Sequence, residues 1–245
     1  MRVFVNTLER LADRRVRMKQ ILDSYIIPYE FFNGPDGRKL ERAEIEEAYD
    51  EGKTRKNLGR VMSPSEIGCT MGHRAIYKKM MDENIEKACI LEDDVVLDDD
   101  FPQILAFLDD FNFKNTVVKL DNYLERNTFC SMWVNERISD RVMLRKPVTT
   151  QWMTWGYVMD RRAAMSILQA WPKIEFVCDD WKRMGAAVEL RCVQPAVVHQ
   201  NVTLESAIDE DRKELLGKTK QAERGANWVT RIIHIIKIVF LIVFS

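Results

Sequence analysis

The sequence predicts an α/β fold: a mostly parallel central sheet with helices on both faces. Short apolar runs alternate with stretches of helical periodicity, and the chain already opens as strand, helix, strand. Size agrees, since 245 residues with 46% hydrophobic side chains can supply one α/β core plus appendages.

Taken in order, Val3 to Asn6 reads as a short buried strand, and Leu11, Met18, Ile21 and Leu22 approximate one face of a helix over Glu9 to Leu22. Tyr29 to Phe32 is a second strand, closed by the turn residues Asn33-Gly34-Pro35-Asp36-Gly37, and Glu41 to Glu51 is charged enough to be an exposed helix. Ser63-Pro64-Ser65-Glu66 combines a serine cap, a proline at the first helical position and a glutamate at the third, so a helix should run from Pro64 to about Met81. Ala88 to Leu91 is the next strand and Gln103 to Phe111 the next helix. Thr116 to Leu120, Val142 to Val148, Trp155 to Met159 and Val188 to Val193 complete the strand set, with a helix over Arg161 to Ala170.

The main α/β domain should therefore span 1–208, followed by a charged linker over 209–227 and an almost wholly apolar segment over 228–245. Within WVTRIIHIIKIVFLIVFS, Thr230, Arg231, His234 and Lys237 form a narrow polar stripe, and the run falls short of the ~20 apolar residues of a complete span. An amphipathic, membrane-associating helix fits it, with Arg212, Lys213, Lys218, Lys220 and Arg224 upstream to favour anionic headgroups. The start of the chain has too short an apolar stretch for a signal peptide, so the folded part is expected in the cytoplasm, with the apolar tail holding it peripherally on the inner membrane.

With Lys plus Arg at 37 and Asp plus Glu at 38, the net charge of -1 gives no general affinity for nucleic acid. Five cysteines, at 69, 89, 130, 178 and 192, include no C-x-x-C pair and read as reduced core residues. No G-x-x-x-x-G-K-[ST] loop occurs, which argues against a P-loop phosphoryl-transfer enzyme.

The sharpest chemical signal is Leu91-Glu92-Asp93-Asp94. Three carboxylates just past an apolar strand repel one another, and they stand where open α/β sheets bind ligands. A divalent cation with oxygen ligands, Mn2+ or Mg2+, would relieve that repulsion and bridge to phosphates; the plainer alternative is a solvated acidic loop. By contrast, Asp98-Asp99-Asp100 precede Phe101-Pro102 as helix N-terminal charges. Gly68, Gly72 and Ala75 leave a shallow helix face for close backbone approach, with His73 either offered to a pocket or satisfied in the packing. Asp179-Asp180-Trp181 is an acidic pair beside an aromatic ring, suited to a general base or to capping a helix. His199 closes the apolar run Ala196 to Val198 and is either a metal ligand or simply hydrogen-bonded.

In order, these segments resemble glycosyltransferase family 25, the bacterial lipooligosaccharide galactosyltransferases and their collagen-modifying relations. The resemblance covers about the first 210 residues. It is carried by Val5 to Arg10 with Arg14-Arg15, Phe31 to Gly34 with Asp36-Gly37, SPSEIGCTMGH over Ser63 to His73, LEDD over Leu91 to Asp94, Trp155-Gly156-Tyr157, Asp179-Asp180, and Pro195 to Gln200. It implies a GT-A type, Rossmann-like fold, a UDP-sugar donor (usually UDP-galactose), a divalent metal and inversion at the anomeric carbon. By position it implies that Asp94 holds the metal, with His199 as an additional ligand. Asn6, Thr7, Leu8, Arg14, Gly34, Glu92 and Asp93 would then flank the donor, and Asp179 or Asp180 would be the base. The implied acceptor is a saccharide or lipooligosaccharide at the cytoplasmic membrane face.

Overall fold

The computed structural model describes residues 1–121, 130–149 and 151–204. The expected linker and apolar tail lie outside these residues, and among the described ones no helix is long and apolar enough to cross a membrane.

The chain opens with β1 (Arg2–Thr7), α1 (Ala12–Ser24) and β2 (Glu30–Asn33). A 3-10 turn at Gly37–Lys39 leads to α2 (Arg42–Ala48), α3 (Glu51–Leu58) and the long α4 (Pro64–Asp82). Then come β3 (Lys87–Glu92), the short β4 (Val95–Leu97), α5 (Phe101–Asp110), β5 (Thr116–Lys119), β6 (Cys130–Arg137) and β7 (Met143–Pro147). β8 (Gly156–Asp160), α6 (Arg161–Ala170), α7 (Trp181–Met184), β9 (Glu189–Gln194) and β10 (Val198–Gln200) complete it.

Eight strands form one sheet in the order β2-β1-β3-β8-β5-β9-β7-β6, and β4 pairs with β10 in a two-stranded ribbon. β2, β1, β3, β5, β9 and β6 run one way and β8 and β7 the other, so six of eight strands share a direction. The sheet is thus largely parallel in direction, although the reversed β8 sits in its middle.

Strand alternation sends neighbouring residues to opposite faces. Val3, Val5, Cys89, Leu91, Val118 and Val158 pack with Met18 and Leu22 of α1 and Ile104 and Leu108 of α5. Their neighbours Phe4, Ala88, Ile90, Val117, Tyr157 and Met159 pack with Ile76 and Met80 of α4, Ala163 and Ile167 of α6, and Trp181 of α7. Helices cover both faces, as the apolar periodicity predicts.

The expected exposed helix over Glu41 to Glu51 is two helices. Tyr49 is extended, bridges to Ile174 and buries its ring, and Asp50 then caps α3 through the Lys53 amide. A long-range bridge overrides local helix preference there. α4 starts as its sequence dictates: the Ser63 side chain accepts from the Glu66 amide, and the Glu66 side chain accepts from the Ser63 amide. Glu66 is buried and also holds Arg60 in a two-pronged pair at 2.8 and 2.7 Å.

Candidate active site

β1, β2 and β3 lie side by side and end together, with Asn6 in register with Phe32 on one side and Glu92 on the other. In an open sheet this crevice at the carboxyl ends is where ligands bind. An open cleft lies there. Its lining brings together Asn6, Thr7, Leu8, Arg14, Gly34, Glu92, Asp93 and Asp94, all eight of the positions expected to flank donor and metal apart from His199.

One wall is the 34–37 turn pressed against the start of α4. A Cβ on Gly68 would sit 2.5 Å from the Gly37 nitrogen, and one on Gly37 would sit 1.8 Å from the Pro64 carbonyl oxygen. Only glycines allow this backbone approach, which is what the shallow helix face anticipates. Arg10, bonded to Asp36 at 2.9 Å, ties the α1 side of the cleft to the same turn.

The acidic residues do not act as one cluster. Asp93 accepts from the Thr7 hydroxyl at 2.5 Å and from Arg14 at 2.9 Å, which joins the ends of β1 and β3. Asp94 meets the same Arg14 nitrogen at 3.3 Å through Oδ2, while its buried Oδ1 has no hydrogen-bond partner. Burial first, then repulsion from Glu92 and Asp93, pushes the Asp94 carboxyl up to about 7, and Arg14 only partly offsets this. Glu92 lines the cleft but turns inward, accepting from the Thr154 hydroxyl and lying 3.6 Å from His73 Nε2. Burial opposes its charge, yet His73, Thr154 and Lys119 outweigh burial and hold it below the ordinary value.

The unpaired Asp94 oxygen, with the Asp93 carboxylate beside it, suits a cation that prefers oxygen ligands. Asp94 with Asp93 would hold it, and it would neutralise charge on a diphosphate.

The other expected site residues lie elsewhere. Asp180 is fully buried as the cap of α7, accepting from the Arg183 amide and pairing with the Arg183 guanidinium, so its oxygens are committed to structure. Asp179 is half-buried and does not line the cleft; its charge is felt by Arg60 and by Cys69, which does. His199 sits on β10 opposite Val96 and bonds Asp98 at 3.1 Å; it does not line the cleft, because the β4–β10 ribbon sets its partners. His73 is fully buried between Tyr157 and Glu92 rather than offered to the cleft.

One pair escapes the sequence reading. Lys119 and Asp121, both fully buried, pair at 2.7 Å at the end of β5. Lys119 also donates to the Met153 carbonyl and lies 4.9 Å over the Trp181 ring, while Asp121 accepts from the Gly156 amide. Burial pushes Asp121 up to about 6, with Lys119 opposing. The pair braces the Met153 to Gly156 segment, where Met153 holds a left-handed φ of 67° and Thr154 reaches Glu92. A lysine inside the apolar run TVVKL, two residues before an aspartate, was the available signal: period two places both on one face.

The sequence model described as "Glycosyltransferase family 25 (LPS biosynthesis protein)" matches residues 1–181. The chain belongs to glycosyltransferase family 25. It is similar to "Procollagen galactosyltransferase 1-B" of Xenopus laevis, 29% identical over 179 residues, covering 69% of this chain and 28% of that protein. "Glycosyltransferase 25 family member" of Drosophila pseudoobscura pseudoobscura is 28% identical over 177 residues, covering 69% of this chain and 27% of that protein. "Procollagen galactosyltransferase 2" of Homo sapiens is 30% identical over 111 residues, covering 44% of this chain and 18% of that protein. The chain thus spans less than a third of these relatives' length. The matched family segment contains the whole lining of the cleft and ends at Trp181.

Proposed function

We propose that this family 25 protein transfers a hexose from a UDP-sugar to a saccharide acceptor, with inversion at the anomeric carbon. The observation that carries the reading is the convergence of Asn6 to Leu8, Arg14, Gly34 and Glu92 to Asp94 on one cleft at the carboxyl ends of β1 to β3. Galactose is the proposed sugar, supported by the printed names of the relatives, and a lipooligosaccharide or lipopolysaccharide acceptor is supported by the family description. UDP-glucose and UDP-N-acetylhexosamine are the competing donors, because one or two pocket residues decide such choices.

Chemically, the backbone around Asn6 to Leu8 and the 34–37 turn would cradle the nucleotide, and Arg14 would turn one guanidinium edge toward the diphosphate. A bound Mn2+ or Mg2+ would add stabilisation of the negative charge that grows on the leaving UDP. Asp179 is the base we propose, taking the acceptor proton on the side opposite the leaving group, since Asp180 is spent on its cap. The 228–245 segment would keep the enzyme at the cytoplasmic face of a membrane, beside a lipid-linked acceptor.

The test is UDP release from a panel of UDP-sugars with manganese, with and without chelator, and with Asp94→Ala. We expect metal-dependent turnover with UDP-galactose and its loss in the variant. Turnover within a few-fold of the parent in Asp94→Ala, or with metal removed, would overturn the metal assignment. No release from any donor would overturn the activity.

A further inference from the structure

At the α4 wall of the cleft, which Cys69 helps to line, lies a second cluster of donor atoms that the transfer chemistry does not use. Cys69 and His73, four residues apart on α4, project from one helix face. Cys178, 109 residues from Cys69 along the chain, is brought to them by the segment before α7, where its amide donates to the Thr70 hydroxyl at 3.2 Å. The two sulfurs stand 3.6 Å apart, and both lie within 4.8 Å of a His73 ring nitrogen.

The sulfur–sulfur spacing is that of a coordination shell, and the histidine stands close enough to join it with a small side-chain adjustment. Two thiolates at ~2.3 Å from a tetrahedral zinc ion stand about 3.8 Å apart, and a thiolate and an imidazole nitrogen stand about 3.6 Å apart. The histidine is also oriented for ligation. Its Nδ1 bonds the Tyr157 hydroxyl at 2.8 Å, and Tyr157 is in turn bonded to the Tyr77 hydroxyl at 2.8 Å, which fixes the ring in the way outer partners fix metal-bound imidazoles. Nε2 is left fully buried with no hydrogen-bond partner. The nearest acceptor, Glu92 Oε1, is 3.6 Å away, too far for a hydrogen bond but a fitting distance for two ligands of one ion. An unmet buried nitrogen is costly, and a metal would satisfy it.

We propose that Cys69, His73 Nε2 and Cys178 bind one thiophilic divalent cation of the zinc type, with Glu92 Oε1 as the fourth donor. Sulfur and imidazole select such an ion, whereas the carboxylate oxygens of Asp93 and Asp94 suit magnesium or manganese, so the two sites take different metals. The ion clamps α4 to the Cys178 segment and so sets the position of the adjoining Asp179. Its inward ligand Glu92 leaves Asp93 and Asp94 as the carboxylates that face the donor.

The test uses the full chain, purified under reducing conditions and stripped of metal. Titration with Zn2+ against a chromophoric chelator should show one tight equivalent, and Co2+ should give a thiolate-to-cobalt charge-transfer band with tetrahedral ligand-field absorption. Cys178→Ser should weaken zinc binding at least ten-fold and diminish the band, whereas Asp94→Asn should leave both intact. Absence of the band in the parent chain overturns the site whether or not any variant folds. Zinc binding that Asp94→Asn abolishes and Cys178→Ser leaves unchanged would place the ion on the acidic motif instead, and a Cys69–Cys178 disulfide under reducing purification would show that the sulfurs pair with each other and not with a metal.

Discussion

Asp94 has a carboxyl raised from 3.8 to about 7 by burial and by Glu92 and Asp93, and this makes a measurable prediction about folding. In the unfolded chain the group loses its proton near its ordinary value, while in the folded chain it keeps it to about pH 7. Between these limits the folded state binds more protons, so stability must fall as pH rises, at ~1.4 kcal/mol per pH unit. The interval of about three units corresponds to roughly 4 kcal/mol, fully present as a cost above pH 7 and absent below the ordinary carboxylate range. The side chain is only 14% exposed, so solvent screening removes little of this. Asp94→Asn removes the charge but also the pairing with Arg14 at 3.3 Å. We therefore expect a net stabilisation of about 3 kcal/mol at pH 8, or roughly 6–12 °C in Tm, which closes toward pH 4. Calorimetry or urea unfolding of parent and variant from pH 4 to 8 measures it. Saturating Mn2+ should raise the Tm of the parent at pH 8, about 2.7 kcal/mol at a hundred-fold excess over Kd, and should leave the variant unmoved. Superimposable pH profiles for the two proteins would refute the reasoning, because they would mean that Asp94 is well solvated and carries no strain for a cation to relieve.

Gly68→Ala should destabilise the fold by about 1–2 kcal/mol, since overpacking against the Gly37 backbone outweighs the helical gain of alanine, and it should weaken UDP binding by displacing the 34–37 wall; a higher urea midpoint would show that the approach is looser than described. Asp179→Asn should keep UDP affinity and lose ~10²- to 10⁴-fold in kcat, whereas Asp180→Asn should chiefly cost stability, about 1–3 kcal/mol from the lost cap and the exposed demand of Arg183. The reverse pattern in kinetics and thermal unfolding would exchange their roles. Deleting 228–245 should leave transfer to a detached saccharide acceptor intact while lowering transfer to a lipid-embedded one, and full-length protein that fails to sediment with anionic liposomes would remove the membrane proposal.

What the sequence determined by itself is what depends on neighbours along the chain. The Ser63-Pro64-Ser65-Glu66 cap, the two-residue alternation of β1 and β3 and the helical stripes of α1, α4 and α5 are satisfied within a few residues, so their position could be read directly. The LEDD motif could be placed at a strand end for the same reason. What only the tertiary structure decided is which of those groups face one another. The strand at Trp155 to Met159 is legible, but its reversal as β8, like the β4–β10 ribbon and β6, depends on pairings between separate strands that no local pattern announces. The break at Tyr49 depends on Ile174, the inward turn of Glu92 on His73 and Thr154, and the diversion of His199 on Asp98. Of the two adjacent aspartates, Asp180 became a cap because α7 begins there, and no local pattern separates it from Asp179. Periodicity selects a face, but the partner on that face is set by sheet order and burial, and so residues of similar appearance in the chain end with opposite duties in the fold.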